Sequence, residues 1–270
     1  MSQQFPPNQP ANGGYMRPQA QAPKRTGALT IVMMAVLILA ILIILNETML
    51  TVRNVSVVGN EKYSAEEVKK AAGLDHPVSF FTVDEKAIIQ NMHSNHYLVF
   101  ERLEKAFPNS LALYVRERTP IARVQEMGVE YVLDEDGMVL ERISTKSEKE
   151  KAAQYDGLMF ITGLKPKEIR VGQILQAGSS SQMEAYRLLI REAVLQGITA
   201  EISELNIADP ESLYLITADN YTAHLGGMDD LRAKIGTVRA VLMYLRGEGS
   251  TGGMLETGIP GEAVFSPMTP

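Results

Sequence analysis

Residues 24–50 read "KRTGALTIVMMAVLILAILIILNETML". From Gly27 to Leu45, nineteen residues pass without a charge. At about 1.5 Å rise per residue, a helix of that length approaches the roughly 30 Å hydrocarbon core of a bilayer. A secretory signal has a shorter apolar core, roughly 7–15 residues, followed by a small-x-small cleavage site. This run leaves instead through Leu45, Asn46, Glu47 and Thr48, so residues 27–46 read as a permanent transmembrane anchor. A core helix of a soluble domain is a poor alternative, because a helix apolar on every side has no polar stripe to show to water.

The flanks give the orientation. Arg17, Lys24 and Arg25 precede the span, and no Asp or Glu occurs before Glu47. By the positive-inside rule the N-terminus stays in the cytoplasm and the chain after the span lies outside. Residues 1–26 are rich in Gln, Pro, Asn and Gly, carry little that could be buried, and read as a disordered cytoplasmic tail.

Composition limits what the outer part does. The chain has a formal charge of -6; setting aside the three basic residues of the tail leaves 23 of the 26 Lys and Arg against 32 Asp and Glu. An acidic ectodomain lacks the clustered cations that phosphate binding needs, which argues against nucleic acid. There is no cysteine, so disulfide scaffolds and thiolate metal sites are excluded and stability comes from ordinary cores. The apolar content is 45%, material for one large or two small domains.

The pass along the chain favours two. "VRNVSVVGNEKYSAEEVKKAAGL" places Val55 and Val57 on one face of a short strand that ends at the turn pair Gly59 and Asn60. A helix follows, with Ser64 and Glu67 spaced as a capping box and Gly73 at the left-handed stop. Thr82 and Glu85 repeat the spacing before a second helix through "VDEKAIIQNM", whose apolar face is Val83, Ala87, Ile88 and Met92. "HYLVFERLEKAFPNSLALYVRER" reads as a hairpin about Pro108, Asn109 and Ser110, with Leu111, Leu113 and Val115 alternating inward. The order strand, helix, helix, strand, strand implies a small sheet with helices over one face.

That order, just beyond a single span, resembles the POTRA module, and specifically the FtsQ/DivIB family of bacterial cell-division proteins. "VSVVGNEKYSAEEV" is similar to the family's opening strand, turn and first helix. "FPNSLALYVRERTPIARV" is similar to its passage "P-x-x-L-x-I-x-V-x-E-R-x-P-x-A", carried here by Pro108, Leu111, Leu113, Val115, Glu117, Arg118, Pro120 and Ala122. The second pattern is the more specific. The resemblance implies an α+β fold: the transmembrane helix over 27–46, a POTRA domain (β-α-α-β-β) over 50–118, and a mainly antiparallel β domain with two helices over 119–267.

The residues beyond Arg118 fit this division. Pro120 removes a backbone donor and biases Thr119 toward an extended conformation, a natural boundary. "IARVQEMGVEYVLDEDGMVLER" holds three extended runs broken at Met127–Gly128 and at Asp134–Gly137, with Asp136 and Gly137 as a hairpin signal that also resembles the family's "D-x-x-G". After a charged connection at residues 144–154, "LMFITGL" reads as a buried strand, similar to the family's "LP-x-I-x-G" without its Pro, and "RVGQIL" is a further family-like trace. A helix runs from about Gln182 to Gln196, with Ser181 and Glu184 as a third capping box and Gly197 as its stop. "ISELNIADPESLYLITADNYTAHLG" reads as an antiparallel meander. In the last helix Leu231, Ile235, Val238, Leu242 and Leu245 form one stripe; a coiled-coil seam would show the same steps, but two heptads suit packing on the sheet better. "HLGGMDDLRAKI" and "VFSP" resemble the end of the family's β domain. In "GGMLETGIPGEAVFSP" the run at Leu255, Glu256 and Thr257 is broken by Gly258, Pro260 and Gly261, which departs from the family and leaves the register of the final strand open; Pro260 suits an edge or a bulge.

Reactive constellations are scarce. His93 and His96 form an H-x-x-H pair with neither a third ligand nearby nor the Glu of a zincin. Gly178 to Ser181 lacks the strand before and the glycine after that make a nucleophile elbow. The pairs Asp134 with Asp136 and Asp229 with Asp230 sit at a turn and at a helix start, where local hydrogen bonds favour carboxylates. The chain is read as a non-enzyme with no metal, no cofactor and no small-molecule substrate.

An anchored ectodomain of two small modules is most economically an interaction protein, pairing by strand addition at a sheet edge. The resemblance implies a divisome scaffold that joins bitopic coiled-coil proteins of the FtsL and FtsB/DivIC types and helps regulate septal peptidoglycan synthesis. It also implies the C-terminal strand region as the contact for the FtsB/DivIC type, and so Leu255, Thr257, Val264 and Phe265 as partner-binding residues. Two other classes stay open. A membrane-anchored cell-wall hydrolase would need two converging carboxyl groups. A POTRA-type chaperone would normally lead into a membrane barrel, and no series of ten-residue amphipathic strands follows here.

Overall fold

The computed structural model describes residues 1–2, 26–144 and 152–267; the tail over 3–25, most of the charged connection (145–151) and residues 268–270 lie outside them. The chain divides into two units, Met1–Met49 and Leu50–Pro270.

The first unit is helix α1, Thr26–Met49. Its segment Gly27–Ile44 is long and apolar enough to cross a membrane, and its surface is exposed throughout. Leu, Ile, Val and Met side chains on every side would be unstable in water, and this fits a single-pass membrane protein.

The second unit opens with β1 (Asn54–Val58), α2 (Ala65–Ala72), α3 (Glu85–Met92), β2 (Leu98–Ala106) and β3 (Ser110–Glu117). The three strands form a sheet in the order β1-β3-β2, with β3 central, parallel to β1 and antiparallel to β2. Period-two alternation in β3 buries Leu111, Leu113 and Val115, and the helices bring Val68, Ala72, Ile88 and Met92 against them. The Ser64–Glu67 capping box is made in both directions and Gly73 closes α2 at φ 71°. The second box is not: α3 is capped by Asp84, whose carboxylate accepts the Lys86 N–H at 3.2 Å, while the Thr82 hydroxyl turns back to the Ser79 carbonyl. Two good caps stand within two residues, and the helix starts after the later one. Gly59 is required by its surroundings: at φ 92°, a Cβ there would lie 2.1 Å from the Val115 carbonyl oxygen.

A nine-stranded sheet follows. Its strands are β4 (Ala122–Glu126), β5 (Val129–Leu133), β6 (Val139–Ser144), β7 (Met159–Thr162), β10 (Ile202–Asn206), β11 (Leu213–Thr217), β12 (Tyr221–Gly226), β13 (Gly253–Glu256) and β14 (Val264–Pro267). Across the sheet they run β14-β13-β12-β11-β10-β7-β4-β5-β6. Five of the eight pairings are antiparallel; β4·β7, β7·β10 and β12·β13 are parallel. A two-stranded ribbon, β8 (Pro166–Glu168) with β9 (Gln176–Ala177), stands apart and brackets the "RVGQIL" segment.

Helices α4 (Ser180–Gln196) and α5 (Leu231–Gly247) cover the inner face. The expected stripe of α5 is buried whole: Leu231, Ile235, Val238, Leu242 and Leu245 are all 7% exposed or less. The third expected capping box is absent. Helix α4 begins at Ser180 with Ser179 as its cap residue and no side-chain cap, and the Ser181 hydroxyl pairs with that of Ser179. Gln182 is drawn inward instead, its amide donating to the Gly163 and Ile207 carbonyls at 3.0 Å each. Burial of that amide with partners outweighs a cap on the exposed end. Gly197 stops the helix at φ 68° as expected.

The end of the chain is a hairpin, not one broken strand. Strand β13 pairs parallel with β12, and β14 returns antiparallel on β13 with Leu255 opposite Phe265. Pro260 lies in the loop between them, in neither an edge strand nor a bulge.

Candidate interaction site

The residues singled out for chemistry are occupied structurally. His93 is the exposed C-cap of α3, and His96 packs beside Gly172. Among the described residues no group of three or more His, Cys, Asp or Glu is placed to hold a metal ion. The Asp134 carboxylate accepts the N–H groups of Asp136 and Met138 at 3.0 and 2.8 Å and the Arg118 guanidinium, so it builds its own turn. Asp229 receives the ammonium of the buried Lys234 at 3.0 Å, and that hydrogen bond holds its carboxyl below the usual range.

The sheet's two ends differ. At β6 the segment Gly172–Leu175 runs alongside, exchanging hydrogen bonds with Gly137 and Val139. At β14 only one side is paired, with β13, and no further strand lies beyond it among the described residues. An edge strand of this kind presents main-chain donors and acceptors to an incoming strand.

Side chains at this edge sort into two faces. Leu255 is fully buried in the main core, and Thr257 is equally buried, its hydroxyl and N–H both donating to the His224 carbonyl at 2.9 Å. Neither is placed to touch a partner through its side chain. Period-two alternation turns them inward because α5 and β12 wait on that side. Phe265 is half-buried, its ring 6.3 Å from that of Tyr221, and it lies over Gly253, where a Cβ would come 2.4 Å from the ring. Val264 is 65% exposed. Across the hairpin it faces Glu256, and with Met254, 45% exposed, these residues make the outward face. Of the four residues expected from the sequence, Leu255 and Thr257 are buried, Phe265 is half-buried and Val264 is exposed; Met254 and Glu256 share the outward face with Val264. The available signal was the alternation itself, which separates the two sets without saying which is outside.

A second structured region joins the two sheets. Glu117, at the end of β3, accepts the N–H groups of Glu61, Lys62 and Tyr63 at 2.8, 3.0 and 2.9 Å. Burial pushes its carboxyl up, but these three donors outweigh it and hold it below the usual range. Arg118 reaches the other way, to Asp134 and, at 3.8 Å, to Asp136. Nearby, the Tyr155 hydroxyl donates to Glu141 at 2.6 Å and lies 2.8 Å from the Tyr97 hydroxyl, linking α3–β2 to β6.

Comparison with known proteins agrees with this architecture. A family model described as "POTRA domain, FtsQ-type" matches residues 50–118. Cell division protein DivIB of Clostridium tetani is 21% identical over 77% of this chain and 77% of its own length. Cell division protein FtsQ of Myxococcus fulvus is 27% identical over 65% of this chain and 58% of its own. Cell division protein DivIB of Geobacillus kaustophilus is 30% identical over a shorter stretch, 36% of this chain and 37% of its own.

Proposed function

This chain belongs to the FtsQ/DivIB family of cell-division proteins, and from that premise we propose that it is a divisome scaffold whose outer domains bind bitopic coiled-coil proteins of the FtsL and FtsB/DivIC types. Residues 1–26 are its cytoplasmic tail and 27–46 its span; a POTRA domain over 50–118 and a β domain over 119–267 stand outside the membrane at the division septum. By holding its partners there, the chain helps control septal peptidoglycan synthesis. It acts without a cofactor or a catalytic residue of its own.

The observation that carries this reading is the unpaired outer edge of β14, flanked by exposed Val264 and Met254. An incoming strand would gain main-chain hydrogen bonds from the edge and side-chain specificity from the outward face. Exposed Glu256 and Glu262 suit a partner with basic residues beside its pairing segment. Leu255 and Thr257 contribute by fixing β13, Val264 and Phe265 by forming the edge.

The test is capture of solubilised host membrane proteins by the full chain, by the chain ended after Glu262, and by Val264→Lys. Ending after Glu262 spares β13 and its buried Leu255. Recovery of small coiled-coil membrane proteins by the intact chain, lost in both variants while circular dichroism stays unchanged, is expected. Undiminished recovery by both folded variants would sink the edge reading.

A further inference from the structure

Helix α1 ends at Met49, and Leu50 is the next residue in the chain. Leu50 is held closely: its carbonyl accepts the Phe80 N–H at 2.7 Å, Thr51 bridges Ser79, and the Val52 N–H bonds the Val78 carbonyl at 2.9 Å. Residues 50–52 are thereby stitched onto 78–80. Phe80 itself is buried in the first core, but two aromatic rings stand edge-on beside it, Phe81 at 5.7 Å and Phe107 at 6.0 Å between centroids. Both are outside the core, Phe81 65% and Phe107 72% exposed. The turn that carries Phe107 is tied to the same entry segment, because the Arg53 N–H donates to the Asn109 carbonyl at 3.0 Å.

Single exposed apolar side chains are ordinary on protein surfaces. Here two phenylalanines are fixed around a third within one hydrogen bond of the residue that leaves the membrane segment. Cations accompany them: Arg53 is exposed, and the Lys105 ammonium donates to the Val83 carbonyl, two residues from Phe81. Phe, like Trp and Leu, supplies the apolar contact of segments that lie in the membrane-water interface, and Lys and Arg beside it are drawn to anionic headgroups.

We propose that Phe81 and Phe107 form an aromatic anchor that dips into the headgroup region of the bilayer crossed by α1, holding the POTRA-type module against the membrane surface. The inference rests on reading Gly27–Ile44 as a span. The occupant of the patch is the lipid interface because covalent continuity brings that surface to Leu50.

The sequence has no tryptophan, so one introduced residue reports alone. Four variants of the full chain are reconstituted in nanodiscs of phosphatidylcholine and phosphatidylglycerol, with and without brominated acyl chains: Phe81→Trp, Phe107→Trp, Leu39→Trp within α1, and Ile259→Trp in the β13–β14 loop. F81W and F107W are expected to emit to the blue of I259W and to be quenched about two-fold or more by brominated lipid, as interfacial rings are. Emission and quenching equal to I259W, with L39W quenched, would overturn the anchor and leave the span standing. Blue-shifted emission without quenching would also overturn it, pointing to a protein cover. An unquenched L39W would overturn the span and the anchor together.

Discussion

Glu117 and Arg118, adjacent at the end of β3, clamp different modules: Glu117 takes three N–H groups of the β1–α2 turn, and Arg118 takes the Asp134 carboxylate of the β5–β6 turn. Successive side chains of an extended strand point to opposite sides, so the pair "E-R" in the motif serves the turns of both sheets at once. The Asp134 side chain is 3% exposed and the Arg118 side chain 16%. Arg118→Ala would leave a buried carboxylate with only its two backbone donors and is expected to cost roughly 2–4 kcal/mol in urea unfolding. A loss below about 0.5 kcal/mol, the range of an ordinary surface change, would contradict this.

Gly59→Ala is expected to lower stability by roughly 2–3 kcal/mol, because φ 92° is strained for any side chain and the new methyl meets the Val115 carbonyl. Gly128→Ala provides the comparison: it also has positive φ, yet nothing lies within 4 Å of its Cβ position. Thermal melts should show the first variant clearly the worse of the two. Equal losses would mean that the clash is relieved by backbone movement.

At the C-terminal hairpin, stability and partner binding should separate by face. Leu255→Ala removes a fully buried side chain and is expected to destabilise by about 2–4 kcal/mol. Met254→Ala, on the exposed face, should change stability by less than about 0.5 kcal/mol while weakening partner capture. A stable L255A protein with normal melting would show that β13 is not seated as described.

Acid should weaken the clamp between α5 and the β11–β12 turn. Arg246 donates to Asp219 at 2.7 and 3.0 Å and to Glu201, and its hydrogen bond holds the Asp219 carboxyl below the usual value of 3.8. A depressed carboxyl contributes stability above its unfolded pKa and loses it as pH falls through the folded one. Arg246→Gln should therefore lower the melting temperature at pH 7, modestly because the groups are part-exposed, and the gap to the parent should close below about pH 3. A gap that persists at low pH would assign the effect to lost packing instead.

Alkali should act on the Tyr97–Tyr155–Glu141 cluster. Burial and the hydrogen bond to Glu141 push the Tyr155 phenol from 10.0 up to about 12, and burial with the Tyr155 contact raises Tyr97 as well. Raised phenols contribute stability that is complete below pH 10 and lost as pH climbs through the folded value. Phenolate absorbance should lag in the folded protein, and Tyr155→Phe should reduce the loss of stability between pH 10 and 12. A variant that loses stability over that window as steeply as the parent would remove the cluster from the explanation.

What the sequence alone determined was set by short-range physics. The apolar run from Gly27 to Leu45 needs no partner to be read, the Ser64–Glu67 box closes within one helical turn, and the spacing of Leu111, Leu113 and Val115 or of Leu231 through Leu245 declares its own period. Where two local solutions competed, as with Thr82 and Asp84 or at the start of α4, context chose between them. Only the tertiary structure decided which of Leu255 and Met254 faces the core, because alternation defines two faces and the long-range seat under α5 and beside β12 selects one. The same holds for Leu50, Phe80 and Phe107, which are distant in sequence and come together because residues 50–52 pair with 78–80 and the turn at Asn109 closes on Arg53.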